Sequence, residues 1–455
     1  MKKDYDVVIV GASSAGAYFA REMAKQGFSV LVVEKDTEKD TSMDYDIFHI
    51  TVEDIAAHNL PRPVEGDPVW SFEFADGAHY SPNYDSPKAF HVPTVGMHKH
   101  GYIMLIAEQA KEAGAEFIYG APFESVLTKG KRVTGITYKD GNKSVTVNAK
   151  LVVDASGQGA VVRTSLPDKI GVENFKLTNK DVFFVTLRYI KYKEPPKERW
   201  LTNHSWLWYK MWLAPSNIEY DGILGIGSCL SYEFGDKVYE KFLEEVSDKL
   251  PPYEVAKIEK KPTPYRHSLY SYVGDGFIAI GDAGIVNKPD NGEGVAVAMN
   301  HMDIAAEVVG KVLKEGKLPT RKNMWSINKR YNKVQGAEFA GTLALLARML
   351  YCSRETIQYM FEKDCVMSKT ILADLGKTVD LPDILHQGKE LIIGLINGKI
   401  PWNEIKVVGA GAIKAVGIIV LYTLYPSKPI FFGPWKKLAE KLWNSVGQMS
   451  DLYSE

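Results

Sequence analysis

Cysteine is scarce in this chain of 455 residues. Its three copies, Cys229, Cys352 and Cys365, lie far apart and form no CxxC pair, so a zinc ribbon, an iron–sulfur run and a dithiol redox motif all lack support. No metal is expected. Few cysteines also suit a reducing compartment, and the start, Met1-Lys2-Lys3-Asp4, runs into an apolar stretch too short for a signal peptide. The expected location is the cytoplasm. Excess charge is missing too: 55 basic and 56 acidic residues give a net charge of -1, whereas a protein that neutralises a phosphate backbone usually carries a basic domain. Nucleic acid is not an expected partner. What remains, 45% apolar and 24% charged residues without low-complexity linkers, is the balance of a folded enzyme of two or three domains.

Periodicity divides the chain into three parts. The opening reads as strand, turn, helix, strand: Asp6 to Val10, Gly11 to Gly16, Ala17 to Gln26 and Val30 to Glu34. A helix from Tyr102 to Glu112 follows, and then a hairpin about Asp140-Gly141-Asn142. Residues 1–165 together with 271–320 are expected to form a Rossmann-type α/β domain. Between them, 166–270 reads as an antiparallel sheet with long strand patterns (Asp181 to Ile190, Ser205 to Ala214, Gly222 to Cys229) and four of the nine tryptophans. Residues 321–455 read as helical, which makes the whole an α/β (α+β) fold.

The turn Gly11-Ala12-Ser13-Ser14-Ala15-Gly16 has the form GxSxxG between a strand and a helix. There, backbone N–H groups and the positive helix end can hold a pyrophosphate. Glu34 lies 18 residues beyond Gly16, at a strand end where an acid can accept hydrogen bonds from a ribose. Two further segments favour FAD over NAD: Asp154-Ala155-Ser156-Gly157, and Gly281-Asp282-Ala283 leading to Gly292-Glu293-Gly294-Val295 before a helix. An aspartate after a buried strand suits ribityl hydroxyls, and a second helix N-terminus suits negative charge on a reduced flavin. Taken alone, Asp282 reads equally well as a turn aspartate. No second complete dinucleotide fingerprint is present, so the electron donor stays unidentified.

These motifs, with the run Lys261 to His267 ahead of Gly281 and the helical C-terminal third, resemble the geranylgeranyl reductase family of FAD-dependent prenyl reductases. Aromatic hydroxylases and flavin halogenases are more distant relatives in the same group. The resemblance implies FAD held by Ala15, Glu34, Asp282, Gly294 and Val295, and the full set of cofactor candidates adds Gly11, Ser13, Ser14, Gly16, Lys35, Phe123, Asp154, Gly157, Gly281 and Gly292. Lys99 stands where relatives usually have arginine, and could meet a phosphate as a point charge. Two elements differ. The family's Pro-Cys-Gly is replaced by Thr41 to His49 without cysteine, and its YxWxFP by Lys210-Met211-Trp212-Leu213-Ala214-Pro215.

An unconjugated prenyl double bond accepts hydride only if a proton reaches the other carbon. Without the cysteine, the candidates are Tyr45, Asp46 and His49, beside Asp44, and the alternative is an ordinary polar surface loop. Trp208, Tyr209, Trp212 and Pro215 could line a tunnel for a lipid, or be core. Near the end, Ala415 to Tyr425 is an apolar run too short to cross a membrane, and Trp435, Leu438, Leu442 and Val446 form one face of a helix that carries Lys436, Lys437 and Lys441. Residues 431–446 therefore read either as a peripheral membrane contact or as a helix packed on its own domain. The expected activity is reduction of isolated C=C bonds of an isoprenoid lipid of the geranylgeranyl type by flavin hydride transfer plus protonation, with a lipid or other apolar small molecule as partner. The alternatives are a flavin monooxygenase acting on an aromatic or polyketide, and a flavin-binding regulator without turnover.

Overall fold

The computed structural model describes residues 4–43, 47–216, 219–289, 292–349, 352–367 and 381–447. Its first sheet grows from β1 (Asp4–Val10), whose apolar residues are buried on both faces. Parallel neighbours flank it, β2 (Val30–Val33) on one side and the long β9 (Lys143–Asp154) on the other. Helix α1 (Ser14–Lys25) makes the crossover from β1 to β2, burying Ala17, Ala20 and Ala24. Gly27, at φ +87, reverses the chain just beyond the helix. Beyond β2 lies β6 (Glu116–Ile118), reached through α3 (Lys99–Glu112). At the far side β16 (Phe277–Ala279) runs parallel to β9 and pairs with the short β15 (Val273–Gly274). β7 (Phe123–Lys129) and β8 (Arg132–Asp140) join β9 through the expected hairpin.

The second sheet has the order β14-β10-β13-β12-β11-β4-β5-β3. Its later strands are β10 (Val182–Tyr192), β11 (Asn203–Trp206), β12 (Met211–Pro215), β13 (Gly222–Ser228) and β14 (Tyr253–Pro264). Three more come from far upstream: β3 (Ile47–Thr51), β4 (Trp70–Tyr80) and β5 (Lys88–His98). Residues 47–98, read above with the Rossmann unit, thus widen the other sheet, because β4 finds its partner in β11, in parallel. Between β3 and β4 runs α2 (Val52–Ala57). Helix α4 (Tyr232–Val246) covers one face of the sheet through Phe242 and Val246, which cluster with Trp206, Met211 and Leu224.

Helix α5 (Val295–Lys314) returns to the first domain, followed by α6 (Trp325–Lys333), α7 (Gln335–Met349), α8 (Arg354–Glu362), α9 (Leu381–Ile396), α10 (Trp402–Thr423) and α11 (Phe432–Val446). α7 and α10 approach closely because small residues accept the neighbour: a Cβ on Gly341 would stand 2.4 Å from Ile419. Of the two readings left open for the α11 face, packing on its own domain holds for most of it. Trp435 and Val446 are buried, Leu442 packs against the core, and Trp435 Nε1 donates to Leu421 O at 2.8 Å; only Leu438 is open. A stripe at helical spacing serves either purpose, and here the aromatic cluster of Trp325, Tyr425 and Phe432 captures it. The apolar run from Ala415 is part of a longer helix than its own length implied, since α10 spans 22 residues from Trp402 to Thr423.

Candidate functional site

The turn after β1 owes its shape to close packing. Gly11 has φ +106, and a Cβ there would lie 2.4 Å from Ala155 O, while one on Gly16 would lie 1.8 Å from Gly11 O. Only glycine fits where helix, strand and the Asp154–Gly157 turn meet. Ser13 sits at the N-cap of α1, yet its side chain makes no bond to the helix and instead accepts from Ser42 Oγ at 2.8 Å. The first turn, Ser14-Ala15-Gly16, also holds no acidic residue. Glu34 is buried, with Oε2 accepting from Ala12 N at 2.7 Å and Oε1 from Asp36 N at 3.0 Å. The chain before β7 closes on it: Ala121 N donates to Glu34 O at 2.7 Å, two residues ahead of the half-buried Phe123. Lys35 turns to the surface and pairs with Asp36.

The opposite wall begins at the ends of β9 and β16. Asp154 is fully buried and spends its carboxylate inside the chain: Oδ1 accepts from Ser156 N and Oγ, and Oδ2 from Arg163 N. Its place is therefore under the turn, a correction to its expected place among cofactor ligands. Gly157, at φ +69, sits on that turn with open space where a side chain would be. The Gly281–Gly284 turn comes up against Ala15, with a Gly281 Cβ at 2.8 Å. Burial pushes the Asp282 carboxyl up, and Lys261 and Lys99 partly offset this. A Gly294 Cβ would meet Asp282 Oδ1 at 3.5 Å. Gly294 is also the N-cap of α5, which starts at Val295 with no side-chain cap and no acid in its first turn. Gly292, at φ +77, is exposed just before it.

The structure thus joins Gly11, Ser13 to Gly16, Gly281, Asp282, Gly294 and Val295, with Lys99 near enough for its charge to act on Asp282. Two helix N-termini without side-chain caps, glycines where side chains would collide, and an acid locked by backbone N–H groups suit a dinucleotide's phosphates and ribose. The residues fit FAD. Sequence reasoning missed three supports. Arg163 is buried and clamps the second wall through Nε to Ala283 O at 2.8 Å. Asn287 Nδ2 donates to Pro264 O at 2.6 Å, tying that wall to the second sheet. Lys261, part of the run quoted for the resemblance, places a cation beside Asp282. The signals were single polar residues in apolar surroundings, which look like many others.

Of the proton-donor candidates, Tyr45 and Asp46 lie outside the described residues. His49, on β3, is exposed at the surface, and partial desolvation by the surrounding chain pushes its imidazole below the usual range. Its ring lies 6.3 Å from Phe74. The four expected tunnel residues separate. Tyr209 is buried in the core under α4, with Trp208 packed against the same cluster, which corrects their expected role. A turn between β11 and β12, with Lys210 at φ 50, sends them to that side. Trp212 lies on the other face, where a Gly225 Cβ would be 2.1 Å from its ring. Pro215 lines a cleft of about 490 Å³ with Arg62, Trp70 and Phe72. Burial lowers the Lys210 amine to about 8, with the Cys229 thiol close enough to interact.

Comparison with known proteins agrees with this geometry. Residues 69–361 match the family model described as FAD dependent oxidoreductase. The chain is 26% identical over 329 residues to a digeranylgeranylglycerophospholipid reductase of Methanocella arvoryzae, covering 70% of this chain and 80% of that one. It is 25% identical over 358 residues to a 1H-pyrrole-2-carbonyl-[peptidyl-carrier protein] chlorinase of Pseudomonas fluorescens, covering 68% and 78%. Among solved structures, a geranylgeranyl bacteriochlorophyll reductase-like protein from Thermoplasma acidophilum shares the fold with a TM-score of 0.69 at 17% identity, over 87% of this chain and all of that one.

Proposed function

We propose that this chain, which belongs to the FAD-dependent oxidoreductase family, reduces isolated C=C bonds of an isoprenoid lipid of the geranylgeranyl type by hydride transfer and protonation. The observation that carries the reading is the glycine pattern of β13. Side chains on Gly225 and Gly227 would collide with the rings of Trp212 and Phe183, at 2.1 and 2.0 Å. Both aromatics therefore lie down on the sheet as an apolar floor. Strand register supports a floor that reaches toward the cofactor: Lys261 pairs with Val185, and Val185 with Gly227. That lysine is the one whose charge acts on Asp282. The relative named for a digeranylgeranyl lipid supports the same substrate class.

Bound FAD, once reduced, supplies the hydride. The chain's part is to hold the cofactor through Gly11, Ser13 to Gly16, Glu34, Asp282, Gly294 and Val295, and to keep water from the apolar floor. The proton comes from the segment holding Tyr45, Asp46 and His49. Because desolvation favours neutral His49, a proton drawn from its imidazolium would make the reaction faster as pH falls. The similarity to a chlorinase at nearly the same identity favours a second reading, flavin chemistry with oxygen on an aromatic substrate. The deciding experiment incubates the chemically reduced holoenzyme with a geranylgeranyl lipid under anaerobic conditions and follows substrate mass. Addition of H2 per double bond supports the reductase. Oxygen consumption with NAD(P)H and an oxygenated aromatic product supports the second reading, and neither result leaves a flavin-binding regulator.

A further inference from the structure

Among the described residues, the C-terminal helices carry apolar side chains that stay exposed. Among the described residues nineteen large hydrophobic side chains are exposed, and ten of them fall within 381–447. They are ordered. On α10 and its C-cap, Ile413, Val420 and Leu424 recur at spacings of seven and four, which places them on one stripe. On α9, Leu385, Ile392 and Ile396 repeat the same spacing, and on α11 Leu438 stands seven residues after the exposed Phe431. The three helices are neighbours in space: a five-residue turn joins α9 to α10, a Gly417 Cβ on α10 would touch Leu442 of α11, and Lys414 Nζ donates to Ser445 O. An eighteen-residue window of α10 has a mean hydropathy of 1.9 with only 33% of it buried inside the protein. Neighbouring helices that each expose an apolar stripe are the kind of surface that usually marks a protein or membrane contact.

We propose that α9, α10 and α11 form a docking surface for an anionic lipid bilayer. Charge selects this occupant. Residues 381–447 hold eight lysines, no arginine and four acidic residues, a net +4 in a chain whose total is -1. Lys406 lies on the α10 stripe, its ammonium 5.2 Å from the ring of the exposed Trp402. Lys437 and Lys441 are exposed on α11. Apolar stripe, tryptophan and lysine side by side suit the boundary between head groups and acyl chains. A second copy of the chain would bring another +4 surface against this one. α10 does not cross the bilayer, because its far side is committed to the protein: Glu404 Oε2 accepts from Ser353 N and Oγ at 3.1 and 3.2 Å, and a Gly411 Cβ would meet Arg348 at 2.6 Å. The surface thus lies on the membrane, whatever the enzyme's substrate.

The test floats the full-length holoprotein on vesicles of phosphatidylcholine alone or with phosphatidylglycerol. Three proteins are compared: the parent, a variant with Ile413→Asp, Val420→Asp and Leu424→Asp, and one with Lys406→Glu, Lys437→Glu and Lys441→Glu. All the altered side chains are exposed, so flavin content and thermal unfolding should match the parent. The parent is expected to float with anionic vesicles and to be released by salt. Each variant should bind at least tenfold more weakly, and the lysine variant should lose its preference for the anionic lipid. A parent that stays unbound, or an apolar variant that floats equally well, would overturn the proposal. So would a lipid-free parent dimer that the apolar variant dissolves, since that would assign the stripe to a second copy.

Discussion

Replacing one glycine tests the cofactor cradle most directly, provided a second replacement shows what backbone strain alone costs. Gly11 and Gly27 both have φ near +90, at +106 and +87. An alanine at either pays about 1–2 kcal/mol for the left-handed region. Their surroundings differ. A Cβ on Gly27 meets nothing within 4 Å, whereas on Gly11 it lies 2.4 Å from Ala155 O. That carbonyl cannot simply retreat, since Ala155 N is bonded to Val10 O at 2.9 Å and Ile280 N to Asp154 O at 3.0 Å. Overpacking of this kind adds about 1–3 kcal/mol, and the displacement spreads through both walls of the site. Gly27→Ala should lower stability by about 1–2 kcal/mol and retain FAD, while Gly11→Ala should lose about 2–5 kcal/mol and most of its flavin. The assay is FAD per protein after gel filtration, with chemical unfolding of each apoprotein. Equal flavin retention by the two variants would refute the reasoning.

Glu34→Ala and Asp282→Ala should each weaken FAD binding, the first by freeing Ala12 N and Asp36 N. The expected loss is about 1.5–3 kcal/mol, one to two factors of ten in a fluorescence titration of the apoprotein, and unchanged affinity in both would displace the site. Acid precipitation should release FAD as a free yellow chromophore, since the cofactor is expected to be non-covalent, and flavin retained in the pellet would contradict this. Burial holds the fully enclosed His301 neutral by lowering it to about 3. Its contribution to stability is therefore complete above about pH 6.5 and erodes as pH falls toward 3, by about 2 kcal/mol at pH 5. Urea unfolding at pH 7 and pH 5 should show this loss, and His301→Leu should reduce it. Trp435→Ala should destabilise the protein by about 3–5 kcal/mol, against less than about 0.5 for Leu438→Ala. Equal thermal unfolding of the two would contradict the placement of Trp435 in the core.

What sequence reasoning read correctly is local. Gly11 to Gly16, Glu34 and the Gly281 turn announce themselves because a strand, a tight turn and a helix occupy adjacent residues, and glycine is needed where backbones touch. The pairing of β4 with β11 joins residues more than a hundred positions apart, and nothing in 70–80 alone names its partner. The stretch Ser205 to Ala214 reads as one strand by its aromatics. The turn at Lys210 splits it and sends Trp208 and Tyr209 to the face opposite Trp212. On α11 the stripe of Trp435, Leu442 and Val446 is equally apolar whether it meets protein or lipid, so periodicity alone left that choice open.

The interleaving of the two sheets also fixes when the enzyme can become active during its synthesis. Gly11 emerges early, but its opposing wall at Gly281 follows 270 residues later, and both sheets wait for late strands, β14 ending at Pro264 and β16 at Ala279. Until those strands have left the ribosome, β1 lacks its full sheet, and β4 and β5 present an edge with no β11 to cover it. Flavin capture is consequently a late event in the life of each nascent chain. A product cut short before Gly281 would lack one wall of the cradle and expose unpaired strand edges, and would therefore be both colourless and prone to aggregate.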